Sequence, residues 1–275
     1  MLKQETKKMN KAKISIAMTT YNEERNLTDC LASIKQLADE LVVVDDASTD
    51  ETIKIAKKFG AKVMKMAKKA FFDENKNIAI KACLGDWIFL LDADERVSPE
   101  LSKEIRTTVE NWSKDQPVAY WLKRKNYFLG RYLQKGGQYP DPVMRLFKKG
   151  KALLPQDSVH QQPKVDGQTG WLKNDLIHWA TPEFSRYLMR ERRYSTLEAL
   201  QMLEDKISIN PLNWVKYLLF RPKRTFFLLY IRHKGFMDSW QGFVFAFFSG
   251  LHHAWSFLKY LRMKIKKVDV IKEWK

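Results

Sequence analysis

Cysteine is scarce in this chain, and the scarcity excludes several classes of protein. Cys30 and Cys83 are its only two, without Cys-x-x-Cys spacing. Zinc-ribbon and dithiol-redox readings fall away, and reduced interior thiols of a cytosolic protein are expected. Long apolar runs are missing too. The most apolar window, Gly242 to Leu258, carries Ser249, Gly250, His252 and His253 and falls short of the ~20 residues that cross a bilayer. Met1 to Lys13 is charged and has no apolar stretch, so no secretory leader is expected. Acids are in deficit, 32 Asp and Glu against 49 Lys and Arg, and the formal charge of +17 calls for anionic partners. Zinc-finger spacing and RNA-binding signatures are absent, so nucleic acid is not expected among them. An anionic membrane surface or a phosphorylated substrate fits better.

What is present is organised around Trp87-Ile88-Phe89-Leu90-Leu91-Asp92-Ala93-Asp94-Glu95. Five apolar residues ending in acids have the length of a buried parallel strand. Asp92 and Asp94 share the strand period, so both project one way from its carboxyl end, where open α/β sheets place ligands. Two carboxylates so placed repel unless a cation lies between them, and oxygen donors there suit Mg²⁺ or Mn²⁺ held with substrate phosphates.

Upstream, Ile14 to Thr20 and Leu41 to Val44 read as strands, Lys62 to Lys65 as a shorter one, each followed by helical spacing. The alternation over 14–94 predicts a parallel sheet with helices on both faces. Ser98 and Pro99 open a further helix, and Val118 to Leu129 and Val143 to Phe147 read as strands. The stretch 151–182 is irregular, with His160 and His178 in it, and suits an acceptor-binding loop. From 183 onward the chain turns helical, aromatic and basic, with 18 Lys and Arg against eight acids. Such a segment suits helices lying in a headgroup interface, or a dry lid. The expected organisation is a lead-in at 1–12 and a catalytic domain at 13–182. That domain divides into a nucleotide half to about 95 and an acceptor half after it, and a helical membrane-surface extension follows at 183–275.

Three strand ends carry polar clusters: Thr19-Thr20-Tyr21-Asn22-Glu23, Asp45-Asp46 and Asp92-Ala93-Asp94. In a parallel sheet they converge on one edge. Tyr21 offers a face for a base, Glu23 and Asp45 offer acceptors for ribose or base, and Asp94 offers a metal ligand. Asn22 and Asp46 stand with them as donor-binding candidates or as turn formers. No glycine-rich loop follows the first strand, so neither the dinucleotide fingerprint nor the P-loop applies, and a nucleotidyltransferase, which normally needs such a loop, ranks third.

Thr-Thr-Tyr-Asn-Glu-Glu, Val-Val-Val-Asp-Asp-Ala-Ser-Thr-Asp-Glu-Thr and Leu-Asp-Ala-Asp-Glu, in that order, resemble family 2 glycosyltransferases of the GT-A fold. Tyr139-Pro140-Asp141, Arg145-Leu146-Phe147, Val159-His160, Arg193-Tyr194-Ser195-Thr196 and Gly235-Phe236-Met237-Asp238 with Gly242-Phe243 resemble the lipopolysaccharide core β-glucosyltransferase-like branch. The resemblance implies an α/β, Rossmann-like, mostly parallel sheet flanked by helices, with a C-terminal helical extension. It also implies a UDP-sugar donor, Mg²⁺ or Mn²⁺, and single-step inversion onto a lipid-linked or envelope glycan acceptor at the cytosolic membrane face. By similarity, Thr19, Tyr21, Glu23 and Asp45 contact the nucleoside, and Asp92 lies near ribose or metal. Asp94 ligates the metal, Lys76 holds the donor, His160 meets metal or diphosphate, and Arg193 braces the leaving diphosphate. The branch carries Val-His-Glu where this chain has Val159-His160-Gln161, and Gln cannot accept the acceptor's proton. Asp157 or Asp141 is then expected as base; a non-catalytic nucleotide-sugar or glycan-binding scaffold is the alternative.

Overall fold

The computed structural model describes residues 12–66, 72–155 and 162–266. Its first part alternates as the periodicity predicts: β1 (Ile14–Thr20), α1 (Glu24–Ser33), β2 (Glu40–Asp45), α2 (Thr52–Lys58), β3 (Lys62–Lys65), α3 (Phe72–Ala82), β4 (Trp87–Leu90), β5 (Glu95–Arg96) and α4 (Pro99–Glu110). Ser98 caps α4, its side chain accepting from Leu101 N at 3.2 Å with Pro99 at the first helical position. Strands β6 (Ala119–Phe128), β7 (Arg131–Tyr132), β8 (Asp141–Lys148), β9 (Ala152–Leu153), β10 (Lys164–Val165), β11 (Thr169–Trp171) and β12 (Leu176–Thr181) follow. Helices α5 (Phe184–Glu204), α6 (Pro211–Val215), α7 (Arg221–Phe227) and α8 (Ser239–Lys266) complete the described chain.

The main sheet runs β3-β2-β1-β4-β8-β6-β12-β5. β1 pairs in parallel with both β2 and β4, and β2 with β3. Beyond β4 the direction changes, because β8 is antiparallel to it. The strand period sorts the apolar residues onto two faces. Ile14, Ile16, Met18, Val43, Trp87 and Phe89 pack with Leu27 and Leu31 of α1 and Leu101 and Ile105 of α4. Ala17, Val42, Val44, Ile88 and Leu90 pack on the other face with Ala79, Ile80 and Cys83 of α3. Burial on both faces is why these strands are unbroken apolar runs in the sequence. Cys30 and Cys83 are free and buried, one in each layer. Burial pushes both thiols up, Cys83 to about 12, so they are inert packing residues. Gly85 is required by a close approach: a Cβ there would lie 2.6 Å from Ser15 Oγ, which instead accepts the Gly85 amide at 2.8 Å.

The chain forms two compact units: 1–124 with 142–178, and 125–141 with 179–275. The sequence places 125–141 in the acceptor half of a domain ending at 182; in the structure this segment joins the helical unit. The cause is local. Buried Asp238 accepts the backbone amides of Gln134 and Lys135, the latter at 2.7 Å, and Phe128 and Leu133 pack with Tyr187 of α5. A second cluster joins Ala199 and Met202 of α5, Tyr217, and Phe257 and Tyr260 of α8. Among the described residues no helix is long and apolar enough to cross a membrane.

Within this unit His252 is clamped between two carboxylates, Nδ1 3.0 Å from Glu191 and Nε2 2.9 Å from Glu198. His253 and Arg221 also face Glu198, at 3.6 and 3.9 Å. Burial opposes the His252 charge, yet its hydrogen bonds to the two glutamates prevail and raise it to about 9. A histidine raised above its unfolded value stabilises fully below about pH 6.5 and loses that contribution as pH climbs through its folded value. We expect His252→Gln to remove on the order of 2–3 kcal/mol at pH 6 and almost nothing at pH 10. Urea unfolding of wild type and variant at both pH values measures this; an equal loss at each would refute it.

Candidate active site

Because β2, β1 and β4 are adjacent and parallel, their carboxyl ends share one edge of the first unit. Glu23, Asp45 and Asp94 therefore follow neighbouring strands along that edge, as the sequence requires. The β1 and β2 ends are stapled together. Thr20 Oγ1 donates to Asp45 Oδ2 at 3.0 Å, Ser48 N to Asp45 Oδ1 at 2.8 Å, and Ser48 Oγ to Asp45 Oδ2 at 2.6 Å. Asp45 is fully enclosed, and with three protein donors in place it keeps at most one acceptor position for anything else. Asn22 adopts a left-handed φ of 54°, which Asn tolerates, and its Oδ1 accepts from Thr49 N at 2.8 Å. Ala47, at φ 65°, holds the same region without that tolerance, strain of the kind the surrounding hydrogen bonds must impose. Asp46 turns inward and accepts from Asn75 of α3, so Asn22 and Asp46 serve the turns and their anchoring. Glu23 accepts from Asn26 Nδ2 at 2.7 Å, and its amide donates to Thr52 Oγ1 at 2.8 Å. Thr19 and Tyr21 are half-buried beside it.

The acidic turn after β4 is tighter than its sequence suggests. Glu95 N donates to Asp92 O, and Asp92 N donates back to Glu95 Oε2, both at 3.0 Å. That closure leaves three carboxylates within four residues, and each has a different cationic environment. Asp92 Oδ1 is 2.8 Å from Lys76 Nζ, and its Oδ2 is 2.5 Å from Arg145 Nη2. Glu95, fully buried, is 2.7 Å from the same Arg145 nitrogen and 3.4 Å from Arg124. Asp94 Oδ2 faces His178 Nε2 at 3.3 Å, with the Asp94 side chain 30% exposed. Burial raises Asp92, but Arg145 and Lys76 outweigh it and hold the carboxyl well below the usual range. Burial likewise raises Asp94, and His178 brings it below its ordinary value. Arg145 is pushed upward against its own burial by Asp92 and Glu95, so its charge is permanent.

The donor set decides where a divalent cation fits. In this structure each Asp92 oxygen contacts a protein cation, Lys76 at Oδ1 and Arg145 at Oδ2. Asp94 and His178 together offer a carboxylate and an imidazole at an accessible position, suited to Mg²⁺ or Mn²⁺ completed by phosphate oxygens. Among the described residues no group of three or more His, Cys, Asp or Glu gathers as a protein-only metal cage. Sequence reasoning placed His178 only in an irregular acceptor-binding stretch and gave no role to Glu95, Arg124 or Ser48. Only Arg145, a charge inside the apolar strand Val143–Phe147, advertised a buried partner. Lys76 reaches this edge because α3 is pinned on either side of it, by Asn75 to Asp46 and by Asn77, which donates to Leu154 O at 2.8 Å and accepts from Leu154 N at 2.9 Å.

Asp157, His160 and Gln161 are outside the described residues. Asp141 opens β8 and accepts from Asn126 Nδ2 at 3.0 Å within the second unit. Arg193 is exposed on α5 of that unit.

Comparison with known proteins adds an independent line. The family described as glycosyl transferase family 2 matches residues 15–164. The chain is similar to the lipopolysaccharide core biosynthesis glycosyltransferase LpsC of Rhizobium meliloti, 28% identical over 255 residues, covering 86% of this chain and 90% of that protein. It is similar, again at 28% identity, to an uncharacterized glycosyltransferase of Rickettsia typhi over 86% of this chain and 83% of that one. Among solved structures, S. aureus TarS 1-349 in complex with UDP-GlcNAc aligns over 95% of this chain and 92% of that one, with TM-score 0.48 and 15% identity.

Proposed function

The chain belongs to glycosyl transferase family 2 with the GT-A arrangement, and from that premise we propose that it transfers a hexose from a UDP-sugar to a lipid-linked or envelope glycan acceptor at the cytosolic face of a membrane. The observation that carries the proposal is the graded acidic edge: Asp92 bound by Lys76 and Arg145, Glu95 buried against Arg145, and Asp94 left accessible beside His178. Lys76, at the strand edge, offers a cation where a donor diphosphate needs one as the sugar–phosphate bond breaks, and Arg145 behind it offsets the charge of Asp92 and Glu95. Asp92 fixes the Lys76 ammonium in place, and Tyr21 and Thr19 offer the half-buried surface that a nucleoside rests on. Asp94 and His178 would hold a Mg²⁺ or Mn²⁺ ion, which would supply neutralisation of the departing diphosphate. Transfer inverts the anomeric centre in one step, and the acceptor hydroxyl gives its proton to a carboxylate as it attacks. Similarity to LpsC supports an envelope glycan as acceptor.

Gln161 keeps a second reading in view, a scaffold that binds nucleotide sugar without turnover. The deciding experiment is a panel of nucleotide sugars assayed for metal-dependent hydrolysis and for transfer to extracted acceptor. Turnover supports the enzyme; binding without turnover supports the scaffold. The base is tested alongside. Asp157→Ala or Asp141→Ala should lower transfer about 10²-fold while donor affinity holds. Full transfer in both single variants and the double would eliminate both residues.

A further inference from the structure

We propose that one face of the helical unit, along 211–243, is a docking surface for an anionic lipid bilayer. The inference rests on the membrane-face reading above and locates the contact. Segment 211–232 is helical throughout: α6, a π-helical turn at Lys216–Phe220, α7, and a second π-helical turn at Leu228–Arg232. On a soluble helix the outward stripe is polar. Here it is inverted. Leu212, Val215, Leu219, Phe220, Phe227 and Ile231 are all exposed, with exposed Lys223 and Arg224 in the turn between Phe220 and Phe227, and Phe236 and Trp240 continue the series. The opposite side is occupied within the unit: Tyr217 stacks on Phe257 of α8 at 4.9 Å, and Gly250 of α8 lies so close that a Cβ would meet Pro222 O at 2.7 Å. The apolar stripe is therefore surplus to the unit's own packing, and a patch of this extent marks an interaction site.

The charges identify the occupant. Between 211 and 243 there are six Lys or Arg and one acid, and that acid, Asp238, is buried. Lys223 and Arg224 are exposed in the middle of the stripe and have no ion-pair partner among the described residues. With Val215, Leu219, Phe220 and Phe227 they line a shallow cavity of about 450 Å³ whose wall is mostly apolar. A second copy of this face would oppose it with like charge. An anionic headgroup layer over acyl chains complements both features at once. The face also differs from the most apolar window of the sequence. In Gly242 to Leu258, Ala246, Gly250, Ser256 and Phe257 are buried inside the unit, so α8 supports the surface more than it forms it.

The test uses full-length protein and phosphatidylcholine vesicles with or without phosphatidylglycerol. Wild type should co-sediment with the anionic vesicles and lose binding as salt rises. Lys223→Gln with Arg224→Gln should weaken binding about 30-fold, roughly fivefold for each cation removed. Phe220→Ser with Phe227→Ser should weaken it at least about tenfold. All four residues are surface positions, so the urea midpoint should stay put. Quenching of wild-type fluorescence by lipids brominated on their acyl chains, reduced in Trp240→Phe, reads the same contact without relying on those variants. Wild-type binding by both double variants, equal binding to neutral vesicles, or a dimer dissolved by the same substitutions would overturn the proposal. Donor hydrolysis in detergent-free solution separates the two readings. Vesicle binding without hydrolysis removes the enzymatic reading and leaves the surface standing, and hydrolysis without vesicle binding does the reverse.

Discussion

Asp94→Ala is expected to abolish sugar transfer, lowering kcat by about 10³-fold or more, the scale on which preorganised charge stabilisation acts. The reason lies in how the acidic turn divides its charge. Asp92 and Glu95 are held by Lys76, Arg145 and Arg124, so their carboxylates neutralise protein cations. Asp94 has His178 at 3.3 Å and a side chain still 30% exposed. It is the member of the three best able to present charge to a metal–diphosphate pair. Two controls make the expectation specific. His178→Ala should reproduce a large part of the loss, and the Mn²⁺ dependence of nucleotide binding, followed by calorimetry, should weaken in both variants. A further control is Asp94→Asn, which keeps the shape and removes the charge; activity within a few fold of wild type would rule out the metal role assigned to this residue.

Arg145→Met should produce the largest loss of stability, about 3–5 kcal/mol, because it strands a buried charge. Glu95 is fully buried, and Arg145 is its nearest cation at 2.7 Å; Arg124, at 3.4 Å, compensates in part and places the loss toward the lower end. The accompanying Asp92 keeps Lys76 and remains partly exposed, so it contributes less. The double variant Arg145→Met, Glu95→Gln should recover much of the loss, since a neutral amide no longer demands a cation. A urea-denaturation double-mutant cycle measures this coupling directly. Additive losses, with no recovery in the double variant, would mean that the strand pair is held by packing and that the ion pair is incidental.

Much of the first unit was legible because its strands are buried on both faces. Ile14 to Thr20, Leu41 to Val44 and Trp87 to Leu91 leave no room for polar alternation, and helical spacing between them admits one topology class. The capped start of α4 at Ser98 and Pro99 was equally plain. At α2 the cap position is Glu51, without a side-chain cap bond, and Asp50 just before it accepts from Thr52 N at 3.0 Å. The acids were visible as residues and their roles were not. Asp46 and Asp45 look alike in sequence, yet one binds Asn75 from α3 and the other closes the Thr20–Ser48 turn. His160 drew attention and His178 little, although β12 carries His178 opposite Glu95 in the sheet register and so to Asp94. Segment 125–141 reads as strand and loop, and nothing local in it announces that Asp238, far along the chain, fastens it to the helical unit.

The amino-acid sequence alone determined the alternating α/β framework, the meeting of acid-ended strands along one edge, the excess of basic charge and the resemblance to family 2 glycosyltransferases. Those properties follow from short-range periodicity and composition. Tertiary structure decided which carboxylate is neutralised, which stays open, and which aromatic stripe of the helical unit is left uncovered. Each of those outcomes depends on a partner brought from a distant strand or helix, Arg145 from β8, His178 from β12 and Phe257 from α8, and pairing over such separations is set by chain crossovers that leave no local pattern.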